Sequence, residues 1–180
     1  SSIVIPIGAS ITVPENAYLC AETITVNGEL IPTGSNVCNY NEAGEIASII
    51  EASSLNENGY YKVGDQISVT LKFSRDVAVT GTPQLSLNTS LNNNIANYNS
   101  GTGTVTLTFN YIVQVGDVAP DLKYVSTTAL SLNGGSIKDL TDRDSEILLP
   151  QPGAENSLSA NKNIVVDGVI PIAGTINDGT

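Results

Sequence analysis

The side chains of this chain best equipped for chemistry are carboxylates, and their densest group is Asp139, Asp142, Asp144 and Glu146. Acids at this spacing on a turn can converge on Ca²⁺, a hard cation that takes roughly six to eight oxygen ligands. The run lacks the glycine and the ordered alternation of an EF-hand loop, and the same four residues also suit a solvated acidic turn that keeps a hairpin soluble. Both readings stand. A second candidate calcium site pairs Asp167 with Asp178, helped by Asp117 or Asp121, where bridging carboxylates would stiffen a junction between modules. No other cofactor is called for. Tyr40 and Tyr98 lie in irregular segments and are candidate ligand-surface residues, because tyrosine presents rigid amphipathic area at low entropic cost. Near Tyr98, the Asn-rich stretch 88–99 offers amide donors and acceptors to a glycan.

Catalysis has little to work with. The chain contains no His, Met or Trp, which removes the commonest general base, the commonest zinc ligand and the strongest aromatic anchor together. Serines and threonines are plentiful but have no imidazole partner. A pair of acids acting on a glycoside would want aromatic rings for the sugar to stack on, and only 5% of residues are aromatic. The expectation is a protein that is not an enzyme.

Charge narrows the partners. A formal net charge of -11, with only seven Lys plus Arg among 180 residues, repels nucleic-acid phosphates and anionic membrane surfaces. No apolar run approaches the length of a membrane span, so neither nucleic acid nor membrane insertion is expected. Cys20 and Cys38 sit in a segment of low aliphatic density. A disulfide between them would close a loop worth roughly 3 kcal/mol in the chain-entropy picture and would fit an oxidising compartment. Two free buried thiols are the alternative.

These candidates need a framework, and its signal is period two. Ile67, Val69, Leu71 and Phe73 alternate with Ser68, Thr70 and Lys72, and Val105, Leu107, Phe109 and Tyr111 alternate with Thr106, Thr108 and Asn110. Such patterns predict half-buried antiparallel strands at the heart of a core. Shorter runs repeat the logic at Val77/Val79, Leu85/Leu87, Leu122/Tyr124, Leu130/Leu132, Ile147/Leu149 and Ile164/Val166, separated by Gly, Asn, Asp and Pro. Helical periodicity is nearly absent. The first 45 or so residues differ: Ser10-Ile11-Thr12-Val13 and Thr23-Ile24-Thr25-Val26 are similar runs that suggest a small β unit with two or three rungs. The reading is an all-β chain: residues 1–45 a small, disulfide-stapled β unit, 46–167 an antiparallel β-sandwich, and 168–180 a linker or the start of a following module. The chain is expected to be a piece of a longer protein.

From about Ile49 to Asp167 the chain resembles the bacterial immunoglobulin-like repeats that occur in tandem in large secreted and cell-surface proteins, many of them adhesins. Carrying the resemblance, in order, are Tyr61-Lys62-Val63-Gly64-Asp65-Gln66-Ile67, Val79-Thr80-Gly81-Thr82-Pro83, Ser100-Gly101-Thr102-Gly103-Thr104, Val113-Gln114 with Gly116-Asp117, Ala129-Leu130-Ser131-Leu132-Asn133-Gly134-Gly135-Ser136-Ile137-Lys138-Asp139, and Ser157-Leu158-Ser159-Ala160-Asn161-Lys162-Asn163-Ile164-Val165-Val166-Asp167. Two stretches depart from the pattern: Asn92-Asn93-Asn94 is longer than the usual connection, and Asp142-Arg143-Asp144 stands where such repeats often turn through Gly-Asn. The resemblance implies an immunoglobulin-like sandwich acting as a non-catalytic structural or adhesive module at a bacterial surface. Its partners would be neighbouring modules of the same chain. Two other roles are open: a ligand-binding tip that recognises a host or cell-surface glycan or protein, and an accessory module of a secreted hydrolase.

Overall fold

A computed structural model describes residues 46–89 and 94–170 throughout and, within the first 45 residues, the backbone of four short strands. The chain divides into two compact units, Ser1–Ile46 and Ala47–Thr180. In the first unit β1 (Ser2–Ile5) runs parallel to β3 (Thr23–Val26), and β2 (Leu19–Ala21) runs parallel to β4 (Val37–Asn39). The register of β2 and β4 sets Cys20 opposite Cys38. Thr23–Val26 is a strand as its pattern predicts, and its partner is Ser2–Ile5. The similar run at 10–13, Tyr40 and the two cysteine side chains lie outside the described residues.

Among its described residues the second unit is all-β apart from one turn of helix. Its elements are β5 (Ile49–Ser54), β6 (Gly59–Lys62), β7 (Gln66–Thr80), β8 (Gln84–Ser86), β9 (Ile95–Ser100), β10 (Thr104–Ile112), β11 (Val118–Ala119), β12 (Leu130–Ser131), β13 (Ser136–Asp139), α1 (Leu158–Asn161) and β14 (Ile164–Asp167). A larger sheet has the order β12-β8-β9-β10-β7-β13, with β5 also on β7, and a smaller one the order β11-β14-β6. Alternation explains the central pair. Ile67, Val69, Leu71 and Leu107 are fully buried, as are Phe109 and, within 2%, Phe73 and Tyr111. Their register couples Leu107 to Leu71, Phe109 to Val69 and Tyr111 to Ile67, so inward side chains of neighbouring strands meet on one face. Each such burial stabilises the fold by about 1.5–3 kcal/mol. Ile164, Val166 and Ala119 of the smaller sheet join the same core.

Two expectations need correction. The antiparallel reading fails for β14, which runs parallel to β6. Parallel neighbours need a long crossover, and here nearly the whole unit lies between the two strands in sequence. Leu122/Tyr124 and Ile147/Leu149 supply buried side chains, Leu122 and Tyr124 fully and Leu149 to within 3%, yet form no strand: Tyr124 makes an isolated bridge to Leu87, and Ile147 and Leu149 make none. Pro120, Pro150 and Pro152 flank these runs, and a proline has no N–H with which to extend a ladder.

The unit is entered and left at different levels of β7. On entry, Ser48 accepts a backbone hydrogen bond from Ser74, and Ala47 accepts one from Glu146. On exit, Gly168 exchanges backbone bonds with Gly116 and Asp117, while the adjoining Val113 bonds to Gly64 and Asp65. From Asp65 to Ser74 an extended strand rises roughly 30 Å. The exit contact needs glycine, because a Cβ on Gly168 would lie 2.3 Å from the carbonyl oxygen of Gln114.

The core pair is testable by denaturant unfolding: Phe109→Ala should cost about 3–5 kcal/mol, whereas Thr108→Ala, on the outward face of the same strand, should stay within about 0.5 kcal/mol of the parent.

Candidate functional site

The acidic turn is built by β13 and the residues that follow it. Asp139 ends the strand with its carboxylate buried, and the chain folds back over it. Its Oδ1 accepts the N–H and Oγ1–H of Thr141 at 2.9 and 2.6 Å and the N–H of Arg143 at 3.1 Å. Its Oδ2 takes Nε and Nη2 of Arg143 at 2.8 and 2.7 Å. Burial works against ionisation, but the donors of Thr141 and Arg143 outweigh it and hold the carboxyl well below the ordinary carboxylate range. Asp142, in the left-handed backbone region at φ 64°, reaches back to Lys138 at 2.9 Å and raises the ammonium pKa.

In this geometry the acids of the turn have partners within the chain. Asp139 spends both oxygens on a guanidinium and neighbouring donors, and Asp142 faces an ammonium. Asp144 and Glu146 continue along the chain as backbone bridge partners of Lys138 and Ser48. No three acidic or metal-ligating side chains come together among the described residues. The partner that the spacing left unread is Arg143, four residues beyond Asp139; the Asp142-Arg143-Asp144 run holds the cation that neutralises the buried acid.

At the exit, Asp167 is exposed and its Oδ1 accepts the N–H of Val169 at 3.2 Å, while Asp178 lies outside the described residues. Asp121 sits 3.9 Å from Lys123. Asp117 is 1% exposed and does structural work: Oδ2 receives the hydroxyl of Tyr111 and, at 2.6 Å, the N–H of Gln114. Burial first, then the hydrogen bond to Asp117, pushes the Tyr111 phenol up to about 12.

Tyr98 lies partly buried against the core. Its ring packs edge-on against Phe109, with centroids 5.9 Å apart and an interplanar angle of 70°. Its hydroxyl accepts the N–H of Thr102 at 3.0 Å. β9 alternates, so Ala96 and Tyr98 face the core while the neighbouring Asn97 is exposed. Among the described tyrosines, Tyr60 is the most exposed, with 82% of its surface open.

Comparison with protein-family models, curated proteins and solved structures finds no match for the chain.

The Asp139–Arg143 pairing carries a pH signature. A carboxyl whose pKa is depressed by folding stabilises the fold above its unfolded value, near 3.9, and that stability is lost as pH falls through the folded value. Asp139→Asn should therefore cost about 2–3 kcal/mol at neutral pH. Thermal melts of the parent and the variant should converge only below about pH 4.

Proposed function

We propose that the unit 47–170 is a non-catalytic structural module of the bacterial immunoglobulin-like type, a sandwich that spaces or presents a binding element in an exported surface protein. The single observation that carries this reading is the separation of entry from exit. The chain comes in beside Ser74 and leaves beside Asp65, so tension applied through the chain crosses the long β7 strand instead of one loop. Entry strand β5 is hydrogen-bonded to β7, and exit strand β14 is held between β6 and β11. A spacer needs this arrangement, since both ends must lead into the same packed core. The motifs quoted for the resemblance fall where they support it: Gly116-Asp117 buttresses the exit, and Lys62 to Asp65 closes a turn between β6 and β7.

Stretching the full chain between its two ends by atomic force should rupture this unit in one cooperative event. Gradual extension without a distinct rupture would sink the spacer reading.

The same proposal takes Cys20 and Cys38 as a disulfide. Partners in register on adjacent strands lie about 4.8 Å apart, inside the Cα separation that a disulfide spans, and a staple suits a unit of short strands. It also supports an extracellular location, since structural disulfides persist in oxidising compartments. Thiol titration of the unfolded, unreduced chain should find no free thiol; two reactive thiols per chain would refute the bridge.

A further inference from the structure

The outward face of the larger sheet carries a row of amides that the fold has no need to place there. Asn97 of β9 stands in register with Gln84 of β8 on one side and Asn110 of β10 on the other, and Asn110 with Ser68 of β7. Register partners share a face, so the row crosses four strands at intervals of about 4.8 Å. Part of its hydrogen-bonding capacity is used internally. Gln84 Nε2 donates to Asn97 Oδ1 at 2.9 Å, Ser68 Oγ donates to Asn110 Oδ1 at 2.9 Å, and Gln114 Nε2 donates to the Ile112 carbonyl at 2.7 Å. Left over are Asn97 Nδ2 and Asn110 Nδ2 as donors and Gln84 Oε1 and Gln114 Oε1 as acceptors, none with a partner among the described residues. These four side chains line a shallow hollow of about 320 Å³, with Ile95 and Ile112 beside them.

Three features of the hollow specify its occupant. No charged residue lines it, although the chain carries a net charge of -11; a phosphate, sulfate or sialic acid would find no cation there and a repulsive field around it. Two donors, on Asn97 and Asn110, stand between two acceptors, on Gln84 and Gln114, a mixture that complements hydroxyl groups that each give and accept a bond. The isoleucines offer apolar area to a C–H face, as mixed pockets do. Asparagine is disfavoured in strands, and a local rule broken at adjacent, paired positions marks a place where function has the stronger claim. An extended peptide is the weaker fit, because it is captured through the backbone of a sheet edge and this is a sheet face.

We infer that the amide row of Gln84, Asn97 and Asn110, with Gln114 beside it in the hollow, is a binding site for a neutral saccharide, lying across the sheet and taking a short oligosaccharide in preference to a single sugar. The site goes beyond the spacer reading and does not depend on it: a module that ruptures cooperatively but binds no sugar leaves the spacer intact and removes only the site.

The test is a microarray of neutral gluco-, galacto- and manno-configured oligosaccharides printed beside sialylated and sulfated ones, probed with the full chain and followed by calorimetric titration with the retained neutral sugars. Binding to one or more neutral sugars is expected, with a loss of about tenfold for Asn97→Ala or Asn110→Ala and no detectable binding for the double variant. Gln114→Ala, which leaves the Gln84–Asn97 and Ser68–Asn110 bonds untouched, should weaken binding without moving the melting temperature, and so keeps the test decisive if the double variant fails to fold. A purely structural row would lower the melting temperature in the Asn variants with no sugar bound by the parent. That outcome, retention of anionic glycans alone, or binding unchanged in Gln114→Ala and in the folded Asn variants would overturn the assignment.

Discussion

Everything in the larger unit depends on one constraint: β7 and β10 must bury the same face of their shared ladder. Leu71 against Leu107, Val69 against Phe109 and Ile67 against Tyr111 are register partners and all lie in the core. A slip of one residue in either strand would turn its aliphatics to solvent and bring Thr106, Thr108 and Asn110 inward. The hydrophobic contrast between the faces therefore specifies the register of the central pair. The pairings of β9 to β10 and of β5 to β7 are set against that reference, with bulges where the fit is imperfect. In the turn between β9 and β10, Gly101 adopts φ 111°, and a side chain there would strike the Thr106 carbonyl, so the chain can turn tightly enough to keep the pattern in phase.

Polar groups are recruited to close what the aliphatics leave open. Tyr111 brings a hydroxyl into the core, and Asp117 meets it there from the turn after β10 while also holding the Gln114 N–H. Tyr124 does the same further along, its hydroxyl donating to the Pro150 carbonyl at 2.5 Å. Each bond joins a strand or bridge residue to an irregular segment that has no ladder of its own. A buried phenol left unpaired would be costly, so the tyrosines fix the loops as firmly as the leucines fix the strands. Asp139 and Arg143 extend the principle to charge: the acid at the end of β13 is enclosed by its own turn, and the turn is held by the acid.

The faces of the strands were legible in the sequence because period two is a local property. Ile67 to Phe73 and Leu107 to Tyr111 disclose their buried sides without knowledge of any neighbour. The parallel partnership of β14 with β6 was not legible, since strand pairing across most of the unit depends on the closed core and leaves no mark within Ile164 to Asp167. The acidic turn shows the same divide. Counting carboxylates from Asp139 to Glu146 revealed a cluster but not the direction of each group, and the deciding side chain was a cation between them. The strand around Tyr98 was not legible because its segment, rich in asparagine, hides its alternation; Ala96 is buried, Tyr98 packs partly buried against the core, and Asn97 is exposed.

That division between faces bears on how such a module can acquire function. The inward face is held by packing, where a change of one methylene is felt, and the turns are held by buried hydrogen bonds. The outward face of β8, β9 and β10 is under neither constraint, so its residues can change at little cost to stability. Threonine, with its strand preference and its hydroxyl, would meet the need for solubility there and does so at Thr106 and Thr108. Two asparagines and a glutamine in lateral register at Gln84, Asn97 and Asn110 exceed that need, since the bonds among them use only part of what they offer. A rigid sheet with a free face can therefore hold those amides at strand spacing without a lid or any strain in the core, and rigidity of that kind is what preorganisation of a polar row requires.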